Sequence, residues 1–174
     1  MTKTEQRIKA KYEERYARVS NWVCSRPRFF KALKLYNTWI PRIFYGLYPL
    51  AWIYLLLTKN TKSLRFFLVP FVTFIFTTLL RKIINAKRPY EKYDIHPLIA
   101  NDKKGESFPS RHTLSLLIIA LAFYSLSPLL GGIIFGMALV LGLVRVVAGI
   151  HFPRDILAAL IISLVFGIVG FGFY

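Results

Sequence analysis

Residues 112–144 run for 33 positions without a lysine, arginine, aspartate or glutamate, and this stretch restricts the possible folds more than any other. Its central Ser127-Pro128-Leu129-Leu130-Gly131-Gly132 supplies turn residues that divide it into two helices. A further run, 156–174, has 19 uncharged residues and can cross a bilayer alone. Two more, 44–57 and 66–80, are uncharged but shorter than the roughly 20 residues that cross about 30 Å, so Ile40, Arg42 and Arg81 must lie within or near the interface. From Trp39 onward the chain therefore predicts an all-α, multi-pass transmembrane helical bundle of about five spans, a membrane-embedded domain covering 39–174.

Composition agrees. The chain is 55% hydrophobic with mean hydropathy +0.46, too apolar for an ordinary soluble domain with one core. The net charge of +16, from 24 basic against 8 acidic residues, would suggest a nucleic-acid partner in a polar chain. Long uncharged runs argue against one here. The single Cys24 excludes an intramolecular disulfide framework and any cysteine-rich zinc or iron–sulfur site.

Residues 1–38 hold ten basic and three acidic residues and lack the apolar core of a signal peptide, so the segment is expected to stay attached. Ile8, Tyr12, Tyr16, Val19 and Val23 recur at steps of three and four, while Arg7, Lys11, Glu14 and Arg18 occupy the remainder. This is the pattern of a basic amphipathic helix. It suits either contact with anionic membrane lipids or packing on the chain's own membrane domain.

Three polar clusters interrupt the apolar pattern. Arg145 breaks a run that is otherwise apolar from Gly131 to Ile150, and an arginine near hydrocarbon depth costs several kcal/mol unless it faces a polar cavity or snorkels to the headgroups. Arg88-Pro89 lies early in the loop after the second segment, and Ser107-Phe108-Pro109-Ser110-Arg111-His112 ends that loop. Segment three leaves that surface and segment four returns, about 27 Å out and about 30 Å back at 1.5 Å per residue. All three clusters thus belong to one face of the membrane.

Within the clusters the spacings carry chemistry. A helix running to Pro89 would present Arg81 and Arg88, seven residues apart, on one face. Ser110 is a candidate N-cap, and the exposed N–H groups of a helix start favour an anion such as phosphate. His151 and Asp155 are four apart with Pro153 between them, so the carboxylate can reach one imidazole nitrogen and leave the other free for nucleophilic attack.

Together these residues resemble the type 2 phosphatidic acid phosphatases, integral-membrane members of the superfamily that includes vanadium haloperoxidases. That family's motifs are lysine, six residues, Arg-Pro; Pro-Ser-Gly-His; and Ser-Arg, five residues, His, three residues, Asp. They appear here as Arg81 with Arg88-Pro89, as Pro109-Ser110-Arg111-His112, and as Val144-Arg145 with His151 and Asp155. Three positions depart from the pattern. Arg81 stands for the lysine, with Lys82 a further candidate; Arg111 replaces the motif glycine and can add a cation at the phosphate; Val144 replaces a serine and removes a hydroxyl.

The resemblance implies a lipid phosphatase acting through a phosphohistidine. His151 would be the nucleophile, Asp155 its orienting carboxylate and His112 the general acid and then base. Arg81, Arg88, Ser110 and Arg145 would bind the phosphate, and no metal or cofactor is required. Candidate substrates are phosphatidic acid, phosphatidylglycerol phosphate and polyprenyl pyrophosphate; transfer to an acceptor other than water would use the same intermediate. The alternative is a non-enzymatic protein that binds or transports anionic lipids. His96 belongs to no motif and reads as a loop residue.

Localisation in a bacterial cytoplasmic membrane is expected, with two opposed indications of facing. Outside the motifs, sixteen basic residues share the side of the clusters, against Lys59, Lys62 and Arg65 opposite, which makes the site cytosolic by the positive-inside rule. The family resemblance implies the outer face. The sequence leaves the oligomeric state open.

Overall fold

The computed structural model describes residues 2–172, and in them the chain is all-helical. Seven helices follow in order: α1 (Lys3–Cys24), α2 (Pro27–Leu57), α3 (Ser63–Ile84), the single turn α4 (Pro89–Lys92), α5 (Arg111–Tyr124), α6 (Pro128–Val147) and α7 (Pro153–Phe171). Four helices, those beginning at Pro27, Ser63, Pro128 and Pro153, are long and apolar enough to cross a membrane. The third apolar segment, α5, has only 14 residues, about 21 Å of helix. It nevertheless connects the two ends of the bundle. At one end Ser110 N donates to the carbonyl of Asp155 at 3.0 Å; at the other Lys62, Arg65, Ser125 and Phe171 line one hollow.

A helix that is apolar all round must be wrapped by protein or by lipid. For α5 it is protein: every residue from Thr113 to Phe123 is buried, and the helix packs on α2, α3, α6 and α7. Close approach depends on a small residue on the neighbouring helix. A Cβ on Gly131 of α6 would lie 2.3 Å from the backbone of Tyr124. The turn between α5 and α6 is accordingly Ser125-Leu126-Ser127, earlier than the sequence pattern suggests, and Gly131 and Gly132 lie inside α6. Ser127 caps that helix by accepting from Leu130 N at 3.4 Å.

Proline inside a membrane helix frees the carbonyl four residues earlier. Pro70 interrupts α3, and the carbonyl of Phe66 is met from α2 by the hydroxyl of Tyr48, which donates at 2.8 Å. Tyr48 also stacks on the buried Phe66 ring at 5.2 Å, so one side chain couples α2 to α3 by both packing and polarity.

Helix α1 packs on the protein itself. Its Thr2 N-cap and Glu5 form a reciprocal capping box, 3.2 and 2.7 Å. Of the predicted stripe, Val23 is buried with Leu33, Leu98, Ala148 and Ile150, whereas Ile8 and Val19 remain exposed. Position 38 falls inside the uninterrupted helix α2, which begins at Pro27 after a two-residue break.

Candidate active site

The site is built where α3, α6 and α7 end or begin. Helix α7 starts at Pro153, and Asp155, in its first turn, accepts from Phe152 N at 3.0 Å. That places the carboxylate beneath His151, whose Nδ1 lies 3.3 Å from Asp155 Oδ2. On the other edge of the ring, Arg145 Nη2 approaches Nε2 at 3.4 Å. A guanidinium can only donate, so this contact requires a lone pair on Nε2 and puts the ring proton on Nδ1, facing Asp155. Burial pushes the imidazole down to about 4, and the charges of Arg145 and Arg88 push the same way against the opposing bond to Asp155. His151 is therefore a neutral imidazole at neutral pH with its outer nitrogen directed at a cation.

Two residues complete this core that spacing did not single out as functional. Ser107 is fully buried and donates to Asp155 Oδ2 at 2.6 Å, while also lying 3.4 Å from His151 Nδ1. Asn37, from α2, accepts from Arg145 Nη1 at 3.1 Å. Neither has a sequence signal of its own: Ser107 stands in a polar loop, and Asn37 is 108 residues from its partner.

Arg81 and Arg88 are both buried, but they are not brought together by one continuous helix as their spacing suggests. Helix α3 ends at Ile84 because Asn85 turns left-handed, φ 41°, and Arg88 is extended, φ −81° and ψ 164°, as a residue before proline must be. Arg81 donates to the carbonyls of Pro109 and, at 3.4 Å, Ser107, with Glu106 3.8 Å away. Arg88 Nε donates to Gly105 O at 3.0 Å. Glu91 fixes that arrangement by accepting from both Arg88 N, 2.8 Å, and Gly105 N, 2.9 Å. Among the described residues, Arg88 Nη1 and Arg145 Nε are buried donors without a protein partner.

The remaining candidates divide. Ser110 is the N-cap of α5 by position, yet its hydroxyl pairs with Thr113 Oγ1 at 3.0 Å instead of capping, and its N–H is committed to Asp155 O. Lys82 is exposed and stays outside the site. Arg111 and His112 line a cavity of about 450 Å³ between α2, α3 and α5, whose other walls include Tyr45, Tyr48, Phe67, Phe71 and Ile119. His112 lies within electrostatic range of His151 and Arg145, and its ring is 6.4 Å from that of Tyr45. His96 is exposed in the loop after α4 and offers only its carbonyl, to Tyr16.

A deeply buried His–Asp pair ringed by arginines, at one end of a bundle with four long apolar helices, defines a class of membrane protein with a buried cationic cluster at one end of its helices. The chain belongs to the PAP2 superfamily, which it matches over residues 62–174. It is similar to the undecaprenyl-diphosphatase BcrC of Bacillus subtilis (strain 168), 28% identical over 130 residues that cover 72% of this chain and 67% of that protein. Among solved structures it is similar to Aquifex aeolicus LpxE, with TM-score 0.67 and 26% identity over 82% of this chain and 87% of that one. It also shares its fold with a PAP2-type phosphatidylglycerolphosphate phosphatase from Bacillus subtilis, with TM-score 0.52 and 20% identity over 91% of each chain.

Proposed function

We propose that this chain hydrolyses a lipid phosphate or lipid pyrophosphate at the membrane surface through a phosphohistidine on His151. The observation that carries the reading is the polarity of the His151 ring. Nδ1 is committed to Asp155, whereas the Nε2 lone pair meets only the long 3.4 Å contact from Arg145 Nη2, which gives way as that guanidinium turns to the phosphoryl oxygens and leaves Nε2 to attack phosphorus. The unpartnered Arg88 Nη1 and Arg145 Nε supply donors for phosphoryl oxygens, with Arg81 adding charge. Nε2 forms the bond to phosphorus as the ester or anhydride P–O bond breaks, and His112 gives its proton to the leaving oxygen. His112 then takes a proton from water, the oxygen attacks phosphorus, and the P–N bond breaks to release inorganic phosphate and restore His151.

The apolar cavity beside His112 and Arg111 supports a lipid substrate, because its aromatic and aliphatic walls suit a hydrocarbon chain entering next to the cationic end. A polyprenyl pyrophosphate is the leading candidate, in line with the activity in the name of the Bacillus relative. The exposed Arg7, Lys11, Arg15 and Arg18 of α1 are suited to anionic headgroups. Detergent-purified protein mixed with farnesyl pyrophosphate in micelles, in EDTA, should release inorganic phosphate and be inhibited by vanadate. Binding of the lipid without phosphate release would favour the non-enzymatic alternative instead.

A further inference from the structure

Helix α1 lies outside the 62–174 region shared with the superfamily, yet it touches the loop that carries His151. Tyr16 and Tyr12 make that contact, and Glu13 beside Tyr12 joins α1 to the loop after α4. Tyr16 is the hub: its hydroxyl accepts from Leu98 N at 3.2 Å and lies within donating distance of the carbonyls of His96, 3.2 Å, and Ala148, 3.3 Å. It thereby joins the loop after α4 to the loop between α6 and α7, which also pair directly through Leu98 N and Ala148 O at 3.0 Å. Gly149, at φ +74°, lies against this hydroxyl, and a Cβ there would come within 2.6 Å of it. Tyr12 stacks on Tyr93 at 4.1 Å and lies 5.9 Å from the ring of Phe152. Glu13 Oε1 accepts from Asp94 N at 2.8 Å.

We infer that α1 is a brace for the nucleophile loop, with Tyr16 and Tyr12 as positioning residues for His151. The physical reason is the backbone the loop must adopt. Residues 148–152 pass from the end of α6 through a left-handed glycine to Phe152, the N-cap of α7, and the His151 ring has to arrive between Asp155 and Arg145. Phe152 N bonds Asp155 on the inner side, and Tyr16 and Tyr12 hold Ala148 and Phe152 on the outer side. Loss of the outer contacts lets the ring drift from its line of attack. The guanidinium groups of Arg81 and Arg88, which α1 does not touch, keep their own partners. The effect should therefore fall on the chemical step and not on substrate capture.

The inference rests on the proposed reaction for its kinetic consequence, but the brace itself has a separate readout. Tyr16→Phe, which keeps the ring, and Tyr12→Leu, which removes the stack, are compared with the wild type and with Ile8→Ala on the exposed side of α1. With farnesyl pyrophosphate in micelles, kcat should fall roughly tenfold in Tyr16→Phe and Tyr12→Leu while KM stays within about twofold. Amide hydrogen exchange at 148–152 should quicken about threefold or more in those variants, with α5 unchanged, and Ile8→Ala should match the wild type in both measurements. Unchanged exchange at 148–152 in both tyrosine variants overturns the brace. So does an unchanged kcat, or a loss confined to KM, in an active enzyme. A wild type that releases no phosphate ends the proposed reaction, and the brace is then decided by exchange alone.

Discussion

The His151 ring sits between a donor that needs a lone pair and a carboxylate that needs a proton, and that asymmetry has a measurable pH signature. An imidazole of ordinary pKa, about 6.5, is about nine-tenths protonated at pH 5.5. His151, pushed down to about 4 by burial and neighbouring arginines, keeps its nucleophilic form there. Single-turnover phosphoryl transfer from an activated aryl phosphate should therefore proceed at pH 5.5 within about threefold of its rate at pH 7.5. A tenfold loss with a midpoint near that of free imidazole would contradict the assignment. Asn37 gives a second residue-level expectation. Asn37→Leu removes the acceptor that holds Arg145 Nη1 at 3.1 Å, and kcat should drop roughly tenfold as the guanidinium loses its orientation; unchanged kinetics would show that Arg145 is held well enough by His151 alone. The contrast between these two positions shows how far the site was legible in sequence. His151 and Asp155 declare themselves because they are neighbours on a helix start. Asn37 and Ser107 reach the same cluster only through tertiary packing, which leaves no spacing to read.

Among the elements, α5 illustrates how packing decides what composition cannot. Its apolar run is visible in the sequence, but its end is set by Gly131, whose hydrogen faces the Tyr124 backbone. Gly131→Ala should destabilise the protein by about 1–3 kcal/mol through overpacking. Gly132→Ala, next along the same helix with nothing within 4 Å of its Cβ position, should be neutral or stabilising by up to about 1 kcal/mol. Thermal denaturation in detergent separates the pair, and equal midpoints would disprove the close contact. The five apolar segments were readable because charge is so costly in lipid that its absence marks them. Helix ends were less so: the spacing of Arg81 and Arg88 fits a continuous helix, but Asn85 and the restriction before Pro89 break it. For α1 the sequence left two surroundings open, and the stacking of Tyr12 and the bonds of Tyr16 show it seated on the protein.

For the whole molecule, one end of the bundle gathers α1, the three motif clusters and most of the positive charge, and the other gathers Lys62, Arg65, Ser125 and Phe171. The positive-inside rule predicts that the α1 end is cytosolic. In a Cys24→Ser background, a cysteine replacing the exposed Lys103 should then resist a membrane-impermeant maleimide in intact cells and react after lysis. Reaction in intact cells would instead assign the outward face that the family resemblance implies. The central claim, a covalent phosphohistidine at residue 151, does not depend on facing and is tested most directly by rapid-quench labelling with substrate carrying radioactive phosphorus. Wild type should show a transient, acid-labile and alkali-stable phosphoenzyme. His112→Ala should accumulate it with an activated substrate because water attack loses its base, and His151→Ala should show none. Robust labelling of His151→Ala would place the nucleophile elsewhere and contradict the account.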